Sequence, residues 1–593
     1  MLLGEPDGNE QKREASGEAR RAAFGHLSQL LKIAPKPAWA TPTLIILGLS
    51  TSFAETAGIA LILLFFYTAM GQIDSAASSD GVLGDVLHYA SQWFDGSTQM
   101  AAVILLLIIV RGGLAYANTM ISSLVSEQIN ERARNLLHQQ YLTVSYGFMR
   151  RHEQAQLMEV LGSESWFISN AYGSLTQIII STCSIVVFAT SLLALSWQIA
   201  LAAALGSLIL SAGLRRLSDP AHRLGKQVKR VHQELGEHML MTLEGLRTIR
   251  AYGQEDLHQR RFIRSSAEAR QTSIALTRLS SLLNPLTEVG YFGILCVIIA
   301  GSSLWGLSFT TTLAAVALLY RLQPHVRKLE GNLLYMAQIE PQLRSVRMML
   351  QKDDKEYPAV GHRTIDALTK GIRFDRVTFQ YEKGSEPALK DVTFEIPAGV
   401  TTALVGASGA GKTTIINLLL RLYQPSSGRI WVDDMPLEEV RRTDWLKLLA
   451  VAGQDVDLIE GTVIDNIRMA DINATEAEVV AASRIAGVSE FVEELSEGYA
   501  TWIGQQGMRF SGGQRQRIGL ARAILRNPEF LMLDEAMSAL DRTLEERIRG
   551  AIHERFAGRT LLIITHRVET VVDAEHVIRI AEGRVVKEGA ARV

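Results

Sequence analysis

Ser165–Leu214 reads SWFISNAYGSLTQIIISTCSIVVFATSLLALSWQIALAAALGSLILSAGL and holds no Asp, Glu, Lys or Arg. A bilayer span needs about 20 predominantly apolar residues, so this window holds two, hinged at the polar Ser196-Trp197-Gln198. Three other charge-poor windows lie around it. Between Lys36 and Asp74 the only such charge is Glu55, and between Asp95 and Glu127 it is Arg111. One span is expected in each, near Thr43–Met70 and Ser97–Val125. Val289–Tyr320 is again free of charge but interrupted at Gly301-Ser302-Ser303 and Gly306–Ser308. It reads as two helices that continue past the window and carry Glu288 and Arg321 towards the membrane. The count is six.

The loops test that count independently. Gly71–Gln99 carries Asp74, Asp80, Asp85 and Asp95 but no Lys or Arg. The alternate segments are basic: Lys12, Arg13, Arg20, Arg21, Lys32 and Lys36 precede the first span, and Arg132, Arg134, Arg150 and Arg151 follow the second. Arg215–Arg278 carries thirteen Lys or Arg. Basic loops mark the cytoplasmic side, so a multi-pass integral membrane protein with both termini cytoplasmic is expected. Residues 126–165 and 215–284 are rich in helix formers, and about 30 helical residues reach about 45 Å. Long cytoplasmic helix extensions are therefore expected rather than loose loops. The polar first 30 residues carry no evident cleavable signal. Cys183 and Cys296 fall inside predicted spans, as small hydrophobes.

Bulk composition excludes several classes. In 593 residues, 47% are hydrophobic, 21% charged and the net charge is −2, which argues against a disordered chain. Two cysteines rule out a disulfide scaffold or a cysteine-rich metal site. The near-neutral charge supplies no electrostatic case for nucleic acid, and none is expected as a partner.

The second half has a different pattern. Expected boundaries are a cytoplasmic segment at 1–40, the membrane domain at 41–344, a linker at 345–370 and an α/β domain at 371–593. Gly406-Ala407-Ser408-Gly409-Ala410-Gly411-Lys412-Thr413 fits G-x-x-x-x-G-K-[ST], after an apolar run and before a helical one. Such glycines let backbone N–H groups wrap phosphates at a helix N-terminus. Lys412 would reach the outer phosphates and Thr413 would ligate Mg²⁺. Phe530–Leu533 reads as a buried strand ending in Asp534-Glu535. Adjacent strand residues point opposite ways, so Asp534 would face the metal and Glu535 the attacking water.

Phe510-Ser511-Gly512-Gly513-Gln514-Arg515-Gln516-Arg517 resembles the signature of ATP-binding-cassette (ABC) ATPases, followed at the family's spacing by Asp534-Glu535 and Ser538–Asp541. Six spans fused to one such domain resemble the half-transporters of the exporter type. The resemblance implies a fold: a six-span α-helical bundle followed by a P-loop ABC ATPase domain. It also implies roles. Tyr381 would stack on adenine, and Gln454 would sense Mg²⁺ and water. Glu535 would be the base, and His566 would contact the γ-phosphate. Thr414, Ser511, Gly512, Gly513, Gln514 and Asp541 would complete the ATP contacts. Phe148–Gln154 and Arg247–Asp256 resemble the two coupling helices. The family often has Gly-Glu-Arg-Gly before the signature, where this chain has Gly504-Gln505-Gln506-Gly507, and often Thr where this chain has Met537.

In this family the signature of one subunit completes the site of another, which implies a second copy of this chain or a related half-transporter. With every consensus position filled, a homodimer is expected, in the bacterial plasma (inner) membrane. Ser52–Ile59 resembles span 1 of lipid-linked oligosaccharide flippases and some peptide exporters. That implies an amphipathic cargo, namely a peptide, a lipid-linked molecule or a drug-like molecule, moved out of the cytoplasm or inner leaflet. Glu55 and Arg111 are the candidate cargo contacts, since charges at membrane depth are costly and often functional. The alternative is that they pair with each other or another helix, or face the water-filled cavity without touching cargo. An importer of siderophore-like cargo, an ATP-gated channel and a non-transporting regulator are the alternatives. The 40 residues before the first span contain no Cys, so no cysteine-peptidase module is expected there.

Overall fold

The computed structural model describes residues 8–69, 97–215, 218–302, 304–307, 309–382, 384–453, 456–504, 507–565 and 574–590. The chain forms two compact units, Met1–Leu142 with His152–Asp354, and Thr143–Arg151 with Lys355–Val593. The division differs from the expected boundaries, for reasons visible in the backbone. The amide of Ser145 donates to the Glu356 carbonyl (2.9 Å), which ties the short helix Tyr146–Arg151 to the second unit. Within the expected linker, the amides of His362 and Arg363 donate to the Glu439 carbonyl, and Arg441 returns a bond to Arg363.

Every regular element among the described residues of the first unit is a helix. Among its described residues five helices are long and apolar enough to cross a membrane: Ala40–Phe66, Thr98–Thr143, Gln154–Leu195, Trp197–Leu214 and Glu255–Ser302. The helix containing the second span, Ser97–Thr143, runs for 47 residues, about 70 Å at 1.5 Å per residue. It extends far beyond a hydrocarbon core of about 30 Å. The sixth expected span lies in Phe309–Gln338, which is less apolar because Arg321, Arg327, Lys328 and Glu330 occupy its second half. Its first half packs as a span does: Ala314, Ala315, Leu318 and Leu319 share a core with Ile59, Phe188, Leu192 and Ile199.

The breaks follow local chemistry. Ser196 turns extended (φ −163°, ψ 123°) between Trp166–Leu195 and Trp197–Arg215, as its polar neighbours predict. The long extensions expected on the cytoplasmic side are Ser218–Glu244 and Glu255–Ser281, joined through the six-residue helix Leu246–Ala251 and a turn at Gly253 (φ +61°). A wider π turn at Val160–Glu164 precedes the third span, and the buried Glu164 carboxylate there meets Lys229 Nζ at 2.6 Å. The N-terminal segment is helical over Gly8–Ile33, with His26 Nε2 3.2 Å from Glu340.

The second unit carries two sheets. β1 (Gly371–Phe379), β2 (Leu389–Pro397), β4 (Ser427–Val432) and β5 (Met435–Pro436) form an antiparallel sheet in the order β2-β1-β4-β5. The larger sheet takes the order β10-β9-β3-β8-β7-β6. Its strands are β3 (Thr401–Val405), β6 (Leu449–Ala452), β7 (Phe530–Asp534), β8 (Thr560–Thr565), β9 (His576–Ala581) and β10 (Arg584–Ala590). All its pairings are parallel except β9 with β10.

Alternation along the central strands separates two cores. Phe530 and Met532 of β7, with Leu562 and Ile564 of β8, pack into one. Leu531 and Leu533, with Leu561 and Ile563, pack into the other. Because strand side chains alternate between faces, the two cores lie on opposite faces of the six-stranded sheet.

Candidate functional site

Strand β3 is buried along Thr401–Leu404 and delivers the chain into the glycine-rich loop. Gly409 and Gly411 adopt φ +80° and +106°, the left-handed region that a side chain resists. A Cβ at Gly411 would also lie 2.7 Å from Leu389 Cδ2 and 2.9 Å from the Ala388 carbonyl oxygen. The helix Lys412–Leu419 begins directly after Gly411 with no side chain capping it. Its first N–H groups are thus presented to an anion, which the helix dipole also favours. Lys412 is almost fully buried, and its Nζ donates to the carbonyls of Gly406 and Ala407, each at 2.9 Å. Those bonds take two of the ammonium's three donors and hold the charge over its own loop. Ala407, Ser408 and Gly409 are exposed on the loop crest, Ala410 is buried beneath it, and Thr413 is exposed on the first helical turn.

Register puts the two carboxylates beside that loop. Ile564 of β8 pairs with Leu404 on one side and with Asp534 on the other. Asp534 therefore lies level with the end of β3, two strand spacings away, or about 9–10 Å. Alternation after Phe530 and Met532 directs Asp534 to the face that carries the phosphate-loop helix, whose Ile415, Ile416, Leu418 and Leu419 belong to the same core. A carboxylate and the Thr413 hydroxyl are hard oxygen donors, the set that suits Mg²⁺. Glu535 does not continue the pleat. Its φ is +48°, and its amide donates to the Ile564 carbonyl at 3.2 Å. A non-glycine residue in the left-handed region costs about 1–3 kcal/mol and is characteristic of functional sites. Opposition of adjacent strand residues thus describes Asp534, while a left-handed turn sets the direction of Glu535.

Tyr381 follows β1 and remains 44% exposed. Its hydroxyl lies 3.0 Å from Thr414 Oγ1 on the phosphate-loop helix, so this aromatic stands beside the loop with a free face. Its ring meets Phe379 and Tyr423 edge-on, at 4.9 and 5.3 Å between centroids. Tyr423 in turn meets Tyr146. Burial raises the Tyr423 phenol above its ordinary value, with Tyr381 and Tyr146 adding to it. Sequence reasoning passed over Tyr423; an aromatic shortly after the phosphate-loop helix was the available signal.

The signature forms a helix cap. Ser511 precedes the helix Gly512–Leu525; its Oγ accepts from the Gln514 amide (3.3 Å), and Gln514 Oε1 accepts from the Ser511 amide (2.8 Å). This capping box was readable in the Ser-x-x-Gln spacing. It orients the Gly512 and Gly513 amides along a 14-residue helix dipole. Gln516 fastens the next loop to it, donating to Ser538 Oγ (3.2 Å) and accepting from the Ala539 amide (3.1 Å). Asp541 caps the helix Arg542–Arg555 through the Leu544 amide at 3.0 Å. Ile518, Leu520, Ala521 and Ile524 of the signature helix belong to the second core, the one on the sheet face opposite the phosphate-loop helix. Met537 is buried in that core as well. Gln454, Gln505, Gln506 and His566 lie outside the described residues.

In the membrane unit, Glu55 is buried, and its Oε1 lies 3.2 Å from Arg111 Nη2 as an ion pair. Arg321 Nη1 lies 3.2 Å from the same oxygen, and His325 Nε2 lies 3.8 Å from Oε2. Arg321 entered the sequence reading only as a residue near a span end, and His325 did not enter it at all.

A bundle of membrane-crossing helices joined to a phosphate-loop α/β domain with a second glycine pair at a serine-capped helix start defines a membrane-embedded nucleotide-hydrolysing transporter. Residues 44–319 match the ABC transporter transmembrane region family, and residues 389–538 match the ABC transporter family. The chain is 30% identical over 499 residues to an ATP-dependent lipid A-core flippase of Yersinia pestis, covering 83% of this chain and 85% of the flippase. It is 29% identical over 467 residues to the heterocyst differentiation ATP-binding protein HepA of Nostoc sp., covering 78% of this chain and 77% of that protein. The solved structure of a bacterial Atm1-family ABC exporter with ATP bound matches with a TM-score of 0.77 and 22% identity, over 93% of this chain and 94% of that one. The chain belongs to the ABC transporter family. It has the exporter-type fold, is a multi-pass membrane protein, and couples ATP binding and hydrolysis to transport.

Proposed function

We propose that the protein is a homodimeric exporter or flippase of the bacterial inner membrane, moving an amphipathic molecule out of the cytoplasm or inner leaflet. The observation that carries the dimer is the division of the ATPase unit into two cores. The phosphate loop belongs to one sheet face and the signature to the other, which supports a signature from a second chain capping the γ-phosphate held at Lys412. In that pairing Tyr381 stacks on adenine, and Lys412 and the loop amides hold the outer phosphates. Ser511 with the Gly512 and Gly513 amides of the partner closes over them.

Thr413 and Asp534 would hold Mg²⁺, which would supply charge neutralisation for the phosphates, and the family resemblance gives Gln454 the role of sensing it. Glu535 orients and deprotonates the attacking water, and His566 contacts the γ-phosphate. Phosphoryl transfer depends chiefly on positioning and charge stabilisation, which closure of two chains supplies and hydrolysis releases. The exporter fold and the lipid-flippase relatives support an amphipathic cargo.

The test is reconstitution in proteoliposomes with a fluorescent lipid panel. ATP-dependent movement out of the leaflet facing the ATPase, abolished in Glu535→Gln, is the expected result. Movement only in the opposite sense overturns the exporter reading.

A further inference from the structure

The phosphate-loop helix Lys412–Leu419 ends in a pattern that ordinarily takes glycine. The Leu422 amide donates to the Asn417 carbonyl and the Arg421 amide to the Leu418 carbonyl, each at 3.0 Å, which is a Schellman termination. Its left-handed position is filled by Arg421, at φ +54°, where a side chain is strained and glycine is not. That side chain is nevertheless buried, at 7% exposure. Its Nη1 donates to the Val440 carbonyl at 2.6 Å and its Nη2 to the Ala359 carbonyl, with the Glu438 carbonyl 3.5 Å from Nη2.

Those carbonyls belong to two segments already bound to each other. The amides of His362 and Arg363 donate to the Glu439 carbonyl at 2.8 and 2.9 Å, and the Arg442 amide donates to the Val360 carbonyl at 3.0 Å. Gly361, at φ +67°, lies so close that a Cβ there would stand 1.9 Å from the Val440 carbonyl oxygen. This strap, residues 359–363, follows the helix Glu340–Leu350 with only residues 351–358 between them. One guanidinium thus joins the C-terminal end of the phosphate-loop helix to the strap and to the segment paired with it. A cation at a helix C-terminus is favoured by the dipole, but that interaction needs neither burial nor a strained backbone. A permanently charged group is costly to bury, so the carbonyls that Arg421 gathers explain its place better than local helix chemistry does.

We propose that Arg421 is a positioning residue for ATP, which makes the affinity of the phosphate loop depend on where the strap lies. The helix Lys412–Leu419 has eight residues, about 12 Å of rigid rod. Displacement of the strap, carried through Arg421 to the C-terminal end of that rod, reaches Lys412 and the loop amides at the other end. The Trp445 indole donates to the Leu419 carbonyl at 2.7 Å. Its single N–H is thereby used, so Trp445 steadies the same helix end without holding the strap. The inference rests on the ATPase activity of this domain, and it adds a control of nucleotide affinity by the segment leading in from the membrane unit.

The test uses the full chain in nanodiscs, with ATP titrations of phosphate release and direct binding of trinitrophenyl-ATP. Arg421→Gly suits the left-handed backbone, so it should fold. It should raise KM for ATP about fivefold to tenfold while kcat falls less than about twofold, and binding of the analogue should weaken in parallel. Arg421→Lys keeps the charge but not the fork, and should be intermediate. Gly361→Ala pushes the strap off Val440 from the other side and should raise KM by a similar factor. In the double variant, KM should match the larger single effect, because both changes break one connection. Trp445→Phe is the contrast: it should lower the melting temperature and leave KM within about twofold of the parent. A merely structural Arg421 would lower the melting temperature with KM unchanged, or its effect would add to that of Gly361→Ala; either result overturns the inference. Should Arg421→Gly fail to fold, a parental KM in both Arg421→Lys and Gly361→Ala overturns it. Absence of nucleotide binding by the parent chain overturns the ATPase assignment, and this inference with it.

Discussion

The ring of Tyr423 meets that of Tyr146 edge-on, 5.8 Å between centroids at 86°, while its other side meets Tyr381 at 5.3 Å and 88°. One aromatic thus connects the residue beside the phosphate loop to the helix Tyr146–Arg151, which continues in the chain from the membrane-crossing helix Ser97–Thr143. The fit is close, since a Cβ at Gly147 would lie 3.0 Å from Tyr423 Cε1. Each edge-to-face pair contributes about 0.5–1.5 kcal/mol beyond burial. Tyr423→Ala is expected to raise the ATP concentration for half-maximal hydrolysis several-fold and to remove stimulation by lipid. Tyr423→Phe should preserve both, and Gly147→Val should resemble the alanine variant. ATP titrations with and without lipid in nanodiscs measure this.

Glu535 combines the proposed role of base with backbone strain, at φ +48°. Glu535→Gln keeps the turn and removes the base, so ATP should bind while turnover falls by about 10²–10⁴. Glu535→Gly relieves the left-handed strain, so it should match or exceed the parent in thermal stability, by about 1 kcal/mol, with hydrolysis equally lost. A glycine variant that melts well below the glutamine variant would contradict the strain argument. Phosphate release and thermal unfolding of the purified protein suffice for both.

Asp433 predicts a pH dependence. Burial would raise its carboxyl, but the amides of Gly371, Lys370 and Thr369 and the Thr369 hydroxyl donate to it and hold its pKa below the ordinary 3.8. A depressed carboxylate stabilises the fold above its unfolded pKa, and that contribution fades as pH falls through the folded value. Asp433 also has φ +53°, a conformation that Asn tolerates, so Asp433→Asn removes the charge without new strain. The variant should be less stable by about 1–3 kcal/mol at pH 7. The gap should stay constant down to about pH 4 and then close at lower pH. Paired thermal melts across that range measure it.

Charge spacing made the spans legible, because a bilayer penalises each misplaced charge, and the phosphate loop was legible because its glycines have no substitute. The partners of Glu55 were legible only in part: Arg111 stood out as a lone charge in its window, whereas Arg321 and His325 sit where a helix turns polar and look like span-end residues. The grouping of Tyr146–Arg151 with the ATPase unit depends on contacts with Glu356 and Tyr423, far along the chain, which no local pattern encodes. The sheet face of the signature helix is likewise non-local, since it follows from the order β3-β8-β7-β6 and not from the octapeptide.

That separation of faces carries the last prediction, made with two inactive chains. Lys412→Ala removes the phosphate-binding ammonium and leaves the signature intact. Gly512→Asp does the reverse. A Cβ at Gly512 would meet no atom within 4 Å, and an acid in the first turn of the Gly512–Leu525 helix favours its dipole. The variant should therefore fold at least as well as the parent while placing a negative charge where the γ-phosphate is to be capped. Each variant alone should be inactive. Co-expressed in equal amounts, half of the symmetric pairings are mixed, and each mixed dimer joins the intact phosphate loop of one chain to the intact signature of the other. About a quarter of all sites are then whole, and ATPase should return to about that fraction of the parent if sites act independently. Failure to recover any hydrolysis in tandem-purified mixed dimers would show either that both sites must fire together or that each chain completes its own. A single covalent tandem carrying both changes in one half separates those cases: it retains no intact composite site if chains complement each other, and one fully intact half if they do not.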